Sequence, residues 1–510
     1  MRRVFYKLSK KLHKYVGLIC LFWFLLMGIS GVLINHPELI RGLSVPSPLV
    51  PSNFCYTKWN RMAMRDAAYS SQNPEVLFVC GRKGVWQSKD RGRTFSAMKD
   101  GYPSSAFEQD TNCLLLMETF GAKQLFAGNR AGLFLWNFES EKWGRIKHKG
   151  LNHAEVKDIV LVNGHPLVFT ADRCFCLQGQ GKEPVILPMP LTFDIPPRKR
   201  TSMTRFMLSI HDGSIAGIPG KLFADAVGLV LIFLSFSAMG LWYLPWRRKN
   251  ICKRRIDTQL YRLFHRFHLK FGIYSLLVLM VITASGMIIR PPFRQIILND
   301  TVPSAWLNHG QLSAGHGPGV RRAVYLENDD TLLLGTRMGF FTGPTDFSRP
   351  FVIIPMDVPV SGMGVNVMKP LSGNRLLIGS FDGLYVRDGS TGSVAAVVEI
   401  TKDRSLNPEK SFKNRAVGAA VKKGQLQFWA DYNQGVVSAD PHGLSPEMPL
   451  SLENKTRMSL WRYLRGIHTG HIFREWLGRH TWLIIPVGGS LLILSLLTGG
   501  YDWLRRKGIL

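Results

Sequence analysis

Four histidines carry the chemical interest of this 510-residue chain: His13, His268, His211 and His468. His13 and His268 open two related stretches, LHKYVGLICLFWFLLMGISGVLINHP from Leu12 to Pro37 and FHLKFGIYSLLVLMVITASGMIIRPP from Phe267 to Pro292. At the offset that superposes the two histidines, Gly17 falls on Gly272 and Gly31 on Gly286. His211 and His468 close a second matched pair, RFMLSIHDG from Arg205 to Gly213 and RYLRGIHTG from Arg462 to Gly470. Neutral imidazole is the commonest metal ligand among side chains. Matched imidazoles from two copies of one unit can meet across a pseudo-twofold axis. Copy symmetry therefore sets His13 against His268, and His211 against His468, as candidate metal-ligating pairs. His265 shares a helical face with His268 and competes for the first site; His36, His471 and His480 compete for the second. An isolated histidine at a membrane boundary is ordinarily interfacial. Repetition is what sets these four apart. No catalytic residue can be singled out.

The elements that must position them are apolar rods. Four runs qualify as membrane spans: Val16 to Ile34, Leu222 to Leu244, Ile273 to Ile289 and Trp482 to Tyr501. A 19-residue helix covers about 28 Å, enough for a bilayer's hydrocarbon core. Trp242, Tyr243, Trp246, Trp482, Tyr501 and Trp503 at the ends fit an aromatic belt. The small residues Gly17, Gly28, Gly31, Gly272 and Gly286 suit close helix packing, and Asp225 is read as interfacial. The net charge of +29 gathers beside these runs. Arg2, Arg3, Lys7, Lys10, Lys11 and Lys14 precede the first, Arg247 to Arg266 holds a basic cluster, and Arg505, Arg506 and Lys507 follow the last. Such flanks are the positive-inside signature, so both termini are expected in the cytoplasm. The first run is too long for a secretory h-region and no Ala-x-Ala site follows, which predicts a retained signal anchor. Nucleic-acid binding would need a basic stripe interleaved with stacking aromatics on a soluble face, and none is present.

The expected order is then a cytoplasmic head and first span (1–36), an outer segment (37–215), a second span (216–246), a basic cytoplasmic loop (247–266), a third span (267–290), a second outer segment (291–470), and a fourth span with tail (471–510). Seven cysteines do not make a disulfide framework. Cys55, Cys80, Cys113, Cys174 and Cys176 fall in the outer segment, where bridges can form; Cys20 is in a span and Cys252 in the loop. No Cys-x-x-Cys-His occurs.

Each outer segment repeats a strand–turn–strand unit. The copies are VLFVCGRKGVW (76–86), QLFAGNRAGLFLW (124–136), PLVFTADRCFCL (166–177), TLLLGTRMGFF (331–341), RLLIGSFDGLYV (375–386) and QLQFWADYNQGVV (425–437). Spacings of about 40 to 50 residues match a four-stranded propeller blade. Three copies per segment predict one six-bladed propeller closed from both inserts, since three-bladed fragments would leave open edges; seven blades remain an alternative count. The fold class is thus α+β, four membrane helices in two repeated pairs plus a propeller. The stretch Ser88-Lys-Asp90-Arg-Gly92-Arg-Thr94-Phe95 resembles the Asp-box turn of sialidase-type repeats, a structural motif in which Ser and Asp side chains bond their own backbone. His153, His165, His309, His316 and His442 are assigned to surfaces and loops.

The Leu-His-Lys-Tyr-Val-Gly start, the Gly-Ile-Ser-Gly-Val-Leu exit, the His-x-Gly lead into each return span and the Pro-Trp-Arg-Arg end resemble the PepSY-associated transmembrane family. That family includes iron-regulated and ferrisiderophore reductases of bacterial membranes. The likeness covers the spans and their flanks, with propeller-like blades in the place of a PepSY module. It implies two b-type haems held by His13 with His268 and by His211 with His468, the haem iron being the metal. Arg205 and Arg462 are candidates to neutralise the propionates, or equally, as arginines at an outer membrane edge, to meet lipid headgroups. It also implies a protein of the bacterial cytoplasmic (inner) membrane, with the propeller on the periplasmic side, passing electrons outward as a membrane-bound ferric reductase. No Gly-x-Gly-x-x-Gly fingerprint follows a strand, so a separate donor, a quinol or a reductase, is expected. The acceptor would be a ferric chelate or a periplasmic partner at the propeller. Two other classes remain: a non-redox, membrane-anchored propeller scaffold or sensor that binds a partner protein or ligand, and a propeller hydrolase.

Overall fold

The computed structural model describes residues 2–119, 122–179, 184–195, 200–251, 255–307, 318–397, 415–440, 445–453 and 457–509. Cys252, His309, His316 and His442 lie outside them. The chain forms two compact units, Met1–Ile40 with Pro197–Ala314 and Leu460–Leu510, and Arg41–Pro196 with Gly315–Ser459.

The first unit is helical. Its principal helices are α1 (Arg2–Ile19), α2 (Leu21–Asn35), α3 (Met203–His211), α4 (Gly217–Asn250), α5 (Arg255–Ile288), α6 (Leu460–His468) and α7 (Ile484–Arg506). Three of the long helices, α4, α5 and α7, are apolar and long enough to cross a membrane. A fourth span exists only if α1 and α2, which meet at 61°, are counted together. The chain is therefore a multi-pass membrane protein.

The first apolar run is not the straight rod expected of it. Cys20 stands at the bend, yet the local hydrogen bonds survive, Cys20 N–H to the Val16 carbonyl and Phe24 N–H to the Cys20 carbonyl, both 2.9 Å. Lys10, Lys11 and Lys14 on α1 are exposed, and charges so close to the run favour a path that leaves them in contact with water or headgroups. The basic stretch after α4 also departs from expectation: it is largely helical. α5 starts at Arg255, where Asp257 in its first turn pairs with Arg247 of α4 at 3.4 Å. Only a short link separates the two helices. Likewise α3 and α6, expected within the outer segments, group with the long helices: α3 packs on α5 and α6 on α2.

Among the described residues the second unit has six antiparallel groups of strands. The groups run over Asp66–Ala97, Thr111–Arg145, Asp158–Met189, Val320–Ile354, Val367–Ala396 and Ala416–Ser438. The first strand of each group packs against the first strand of the next, and parallel pairing of Asp66 with Ala419 returns the sixth group to the first. The arrangement is propeller-like. Phe193–Asp194, from the end of the first insert, adds a parallel fifth strand to the fourth group beside Phe351–Val352. Buried apolar layers fill the spaces between groups, with Phe78, Leu125 and Phe134 between the first and second and Phe169, Leu334 and Phe341 between the third and fourth.

At the ring's centre the buried side chains are charged and paired. Asp66 accepts from Lys369 Nζ at 2.7 Å, and Asp158 meets Arg322 Nη1 at 3.5 Å. The Asp-box turn forms as its residues require: the Ser88 hydroxyl donates to Asp90 at 2.7 Å, and Asp90 accepts from the Thr94 amide and hydroxyl at 2.9 and 2.6 Å. The six described cysteines are free thiols.

Candidate functional site

α3 and α6 each end on a histidine for a local reason. The Ser202 hydroxyl caps α3 by accepting from Arg205 N–H, and α3 stops at His211 because Gly213 reverses the chain at φ 74°. A side chain at Gly213 would lie 2.1 Å from the Gly220 carbonyl oxygen. Gly470 does the same after α6 at φ 77°, and Trp461 Nε1–H ties α6 to the Ile34 carbonyl at 3.1 Å. The His-x-Gly pattern thus places an imidazole at the mouth of each return helix.

The four histidines form two pairs. The rings of His13 (α1) and His268 (α5) have centroids 6.3 Å apart at an interplanar angle of 72°. Those of His211 (α3) and His468 (α6) are 5.9 Å apart at 47°. His268 precedes Ile282, which holds His211, by 14 residues of α5, so the pairs lie at two levels about 21 Å apart along that helix.

Every one of the four Nδ1 atoms is anchored. His13 Nδ1 lies 2.9 Å from the Ser495 carbonyl oxygen and His211 Nδ1 2.9 Å from that of Ile282. A carbonyl only accepts, so both rings carry their proton on Nδ1. His268 Nδ1 meets the Ser237 hydroxyl at 2.8 Å and His468 Nδ1 that of Ser30 at 2.9 Å. Each serine already donates to its own helix, Ser237 to the Leu234 carbonyl at 3.0 Å and Ser30 to the Leu26 carbonyl at 2.5 Å. Both serines must therefore accept from the imidazole. All four rings are left with a lone pair on Nε2. The anchors are also exchanged between the halves: His13 and His211 bond to the second half, His268 and His468 to the first.

Each pair faces a cavity. The one at His13 and His268, about 400 Å³, is lined also by Gly17, Gly272, Gly499, Lys10, Lys14 and Arg506. The one at His211 and His468, about 390 Å³, is lined by Gly31, Gly286, Asp225, Arg290 and Arg465. Phe24, Leu231 and Leu492 line both and so form an apolar partition between them. Gly286 and Gly499 make room for the rings, since a Cβ at either would approach His211 Cε1 to 2.6 Å and His13 Cε1 to 2.8 Å.

What such a pair can hold follows from donor count. A metal–imidazole bond is about 2 Å and a ring's half-width about 1.1 Å, so two rings on one ion put their centroids about 6.2 Å apart. The observed separations match. Two nitrogens do not complete a coordination sphere, and among the described residues no group of three or more His, Cys, Asp or Glu could do so. A metal here must bring its other ligands with it, as a macrocycle does.

The competing histidines stand elsewhere. His36 is held between Asp225 at 2.8 Å and Glu38 at 3.1 Å, and Asp225 is a bonded, buried residue of the cavity wall. His265 stacks on Tyr261 and its Nε2 lies 3.5 Å from Arg506 Nη1. His471 and His480 do not line either cavity. Neither do Arg205 and Arg462; the cations at the cavities are Arg290 and Arg465, and Lys10, Lys14 and Arg506. The second half's RYLRGIH does contain Arg465, three residues before His468, but linear sequence offered two arginines there with no means of choosing. Ser237 and Ser495 carried no signal, and Ser30 entered only as one residue of the Gly-Ile-Ser-Gly-Val-Leu exit.

The chain has neighbours of low similarity among solved structures. They include the extracellular domain of a one-component system from B. thetaiotaomicron (TM-score 0.35, 10% identity, 77% of this chain and 36% of that one). An ancestral GH74 enzyme gives 0.35 and 10% over 78% of this chain and 38% of its own. YCF48 from Cyanidioschyzon merolae gives 0.32 and 7% over 78% and 97%. The chain thus aligns with well under half the length of the first two. A comparison with curated proteins finds no match. The PepSY-associated TM region matches residues 10–506. Spans, paired histidines and intervening strands all fall inside that match, and the chain belongs to the PepSY-associated transmembrane family.

Proposed function

We propose that the two cavities each hold one b-type haem, between His13 and His268 and between His211 and His468, and that the protein carries electrons across a bacterial cytoplasmic membrane. The observation that carries this reading is the anchoring of all four Nδ1 atoms, which leaves an Nε2 lone pair on every ring, in two pairs whose ring centroids stand 6.3 and 5.9 Å apart. Ligating histidines characteristically donate the other ring N–H in this way. When bound, haem with two imidazole ligands supplies one-electron carriage without an open position for oxygen. The chain's own residues do the rest. Arg290 and Arg465 at one cavity, and Lys10, Lys14 and Arg506 at the other, offset propionate charge. Phe24, Leu231 and Leu492 keep water from the space between.

The six strand groups are read as blades of one closed six-bladed propeller on the periplasmic side, with both termini in the cytoplasm. A membrane quinol or a separate reductase gives up one electron at a time, and a ferric chelate takes it to become ferrous.

The test is the absorbance of the purified chain produced with ample haem. Dithionite should bring up b-type Soret and α bands worth two haems per chain, falling to one in His468→Ala. A colourless preparation would sink the redox reading and leave a membrane-anchored scaffold or sensor.

A further inference from the structure

One end of the propeller-like unit carries an excess of positive charge set deep among the strands. The start of each first strand and the turn between second and third strands share this end, because Asp66 pairs with Cys80, Thr111 with Asn129 and Val320 with Thr336. Arg65, Lys157 and Arg321 stand at first-strand starts; Arg82, Arg130 and Arg337 stand in the turns. They are near enough to feel one another: Arg65 senses Arg82 and Arg130, Lys157 senses Arg321 and Arg130, and Arg321 senses Arg337 and Arg65.

Two carboxylates stand among these six cations, and both are occupied. Asp110 accepts from Arg65 at 2.8 Å and Arg130 at 3.0 Å, and Glu155 from Lys157 at 2.6 Å. Nearby, Asp172 pairs with Arg173, Asp431 accepts from the backbone amides of Arg415, Asn433 and Gln434, and Asp382 stands in the turn between the second and third strands of the fifth group. The charged layer beneath, Asp66 and Asp158 with Lys369 and Arg322, is balanced. Arg82, Arg321 and Arg337 have no carboxylate partner among the described residues. Moreover Arg65 Nε, Arg82 Nη1 and Arg321 Nε are buried donors without an acceptor, an arrangement that native structures avoid unless something else accepts from them.

We propose that this end of the propeller binds a small multivalent oxyanion, a polycarboxylate or a phosphate compound, whose oxygens accept from Arg321, Arg337 and Arg82. Fork-shaped guanidinium donors match carboxylate and phosphate oxygens in planar pairs, and the buried donor atoms of Arg82 and Arg321 beside the exposed Arg337 favour a small ligand over a flat macromolecular surface. The site is independent of the redox reading and stands or falls apart from it.

The test is calorimetric titration of the full-length protein in detergent with citrate and, separately, pyrophosphate, at fixed ionic strength. Saturable one-site binding of either anion is expected, and the tighter of the two names the ligand chemistry. Arg337→Gln, at an exposed position, and Arg321→Gln should each weaken it at least tenfold with thermal stability and any haem bands unchanged. Arg349→Gln makes the same charge change in the turn at the opposite end of the fourth group and should leave it unaltered. No saturable binding of either anion, or equal loss in all three variants, would overturn the proposal.

Discussion

His468 Nδ1 sits 2.9 Å from the Ser30 hydroxyl oxygen, whose own hydrogen is committed to the Leu26 carbonyl. One helix of the first half thereby fixes the tautomer and the rotation of a ring carried by the second. Ser30→Ala removes the acceptor and frees the ring to turn. The expected result is a loss of haem affinity at that site of about 10- to 100-fold, with a broadened low-spin electron paramagnetic resonance signal. Ser30→Thr, which keeps the hydroxyl, should restore the narrow signal; a purely structural serine would not shift it in either variant.

The two repeat glycines should differ in consequence. A Cβ at Gly286 would lie 2.6 Å from His211 Cε1, while one at Gly31 would lie at 3.5 Å from His468 Cε1, an ordinary contact. Gly286→Ala should therefore reduce haem content toward one per chain, and Gly31→Ala should leave it near two. Pyridine haemochrome stoichiometry decides the matter, and equal behaviour of the two variants would contradict the geometry.

Sequence alone made the doubling legible, and with it the pairs. A constant offset relates His13 to His268, so the juxtaposition of those rings follows from two copies facing each other. The strand groups were visible for a similar reason, because a turn glycine flanked by apolar strands recurs at a nearly regular period. What could not be read was anything depending on helix rotation or on the path between helices. Arg290 closes a helix beside two prolines and looks like a flanking charge; only its direction relative to His211 makes it a cavity wall. The bend at Cys20 was hidden because the residues around it are uniformly apolar and its hydrogen bonds are intact.

At the centre of the strand groups, Lys369→Met would leave the Asp66 carboxylate buried at 1% exposure without its ammonium. Breaking one partner of a buried pair costs about 3–5 kcal/mol, so a large drop in thermal stability by tryptophan fluorescence is expected. Combining it with Asp66→Asn should recover much of the loss. An additive double variant would mean the two side chains are not coupled.

The Asp-box makes a pH prediction of defined sign. Hydrogen bonds from the Thr94 hydroxyl and amide and from Ser88 hold the Asp90 carboxyl down to about 2, against an ordinary 3.8. Since the folded group titrates below the unfolded one, its contribution is full above the ordinary value and is lost as the pH falls toward 2. The melting-temperature gap between the wild type and Asp90→Asn should be flat above that window and close within it. A gap that persists at the acid end would show that the turn owes nothing to the carboxylate's charge.

The bond from His13 to the Ser495 carbonyl joins positions 482 apart in the chain. A ribosome must therefore add 482 further residues before the imidazole of His13 finds its fixed bearing. Neither half translated alone can finish even one of the paired sites. Co-production of the severed halves, by contrast, should reconstitute both.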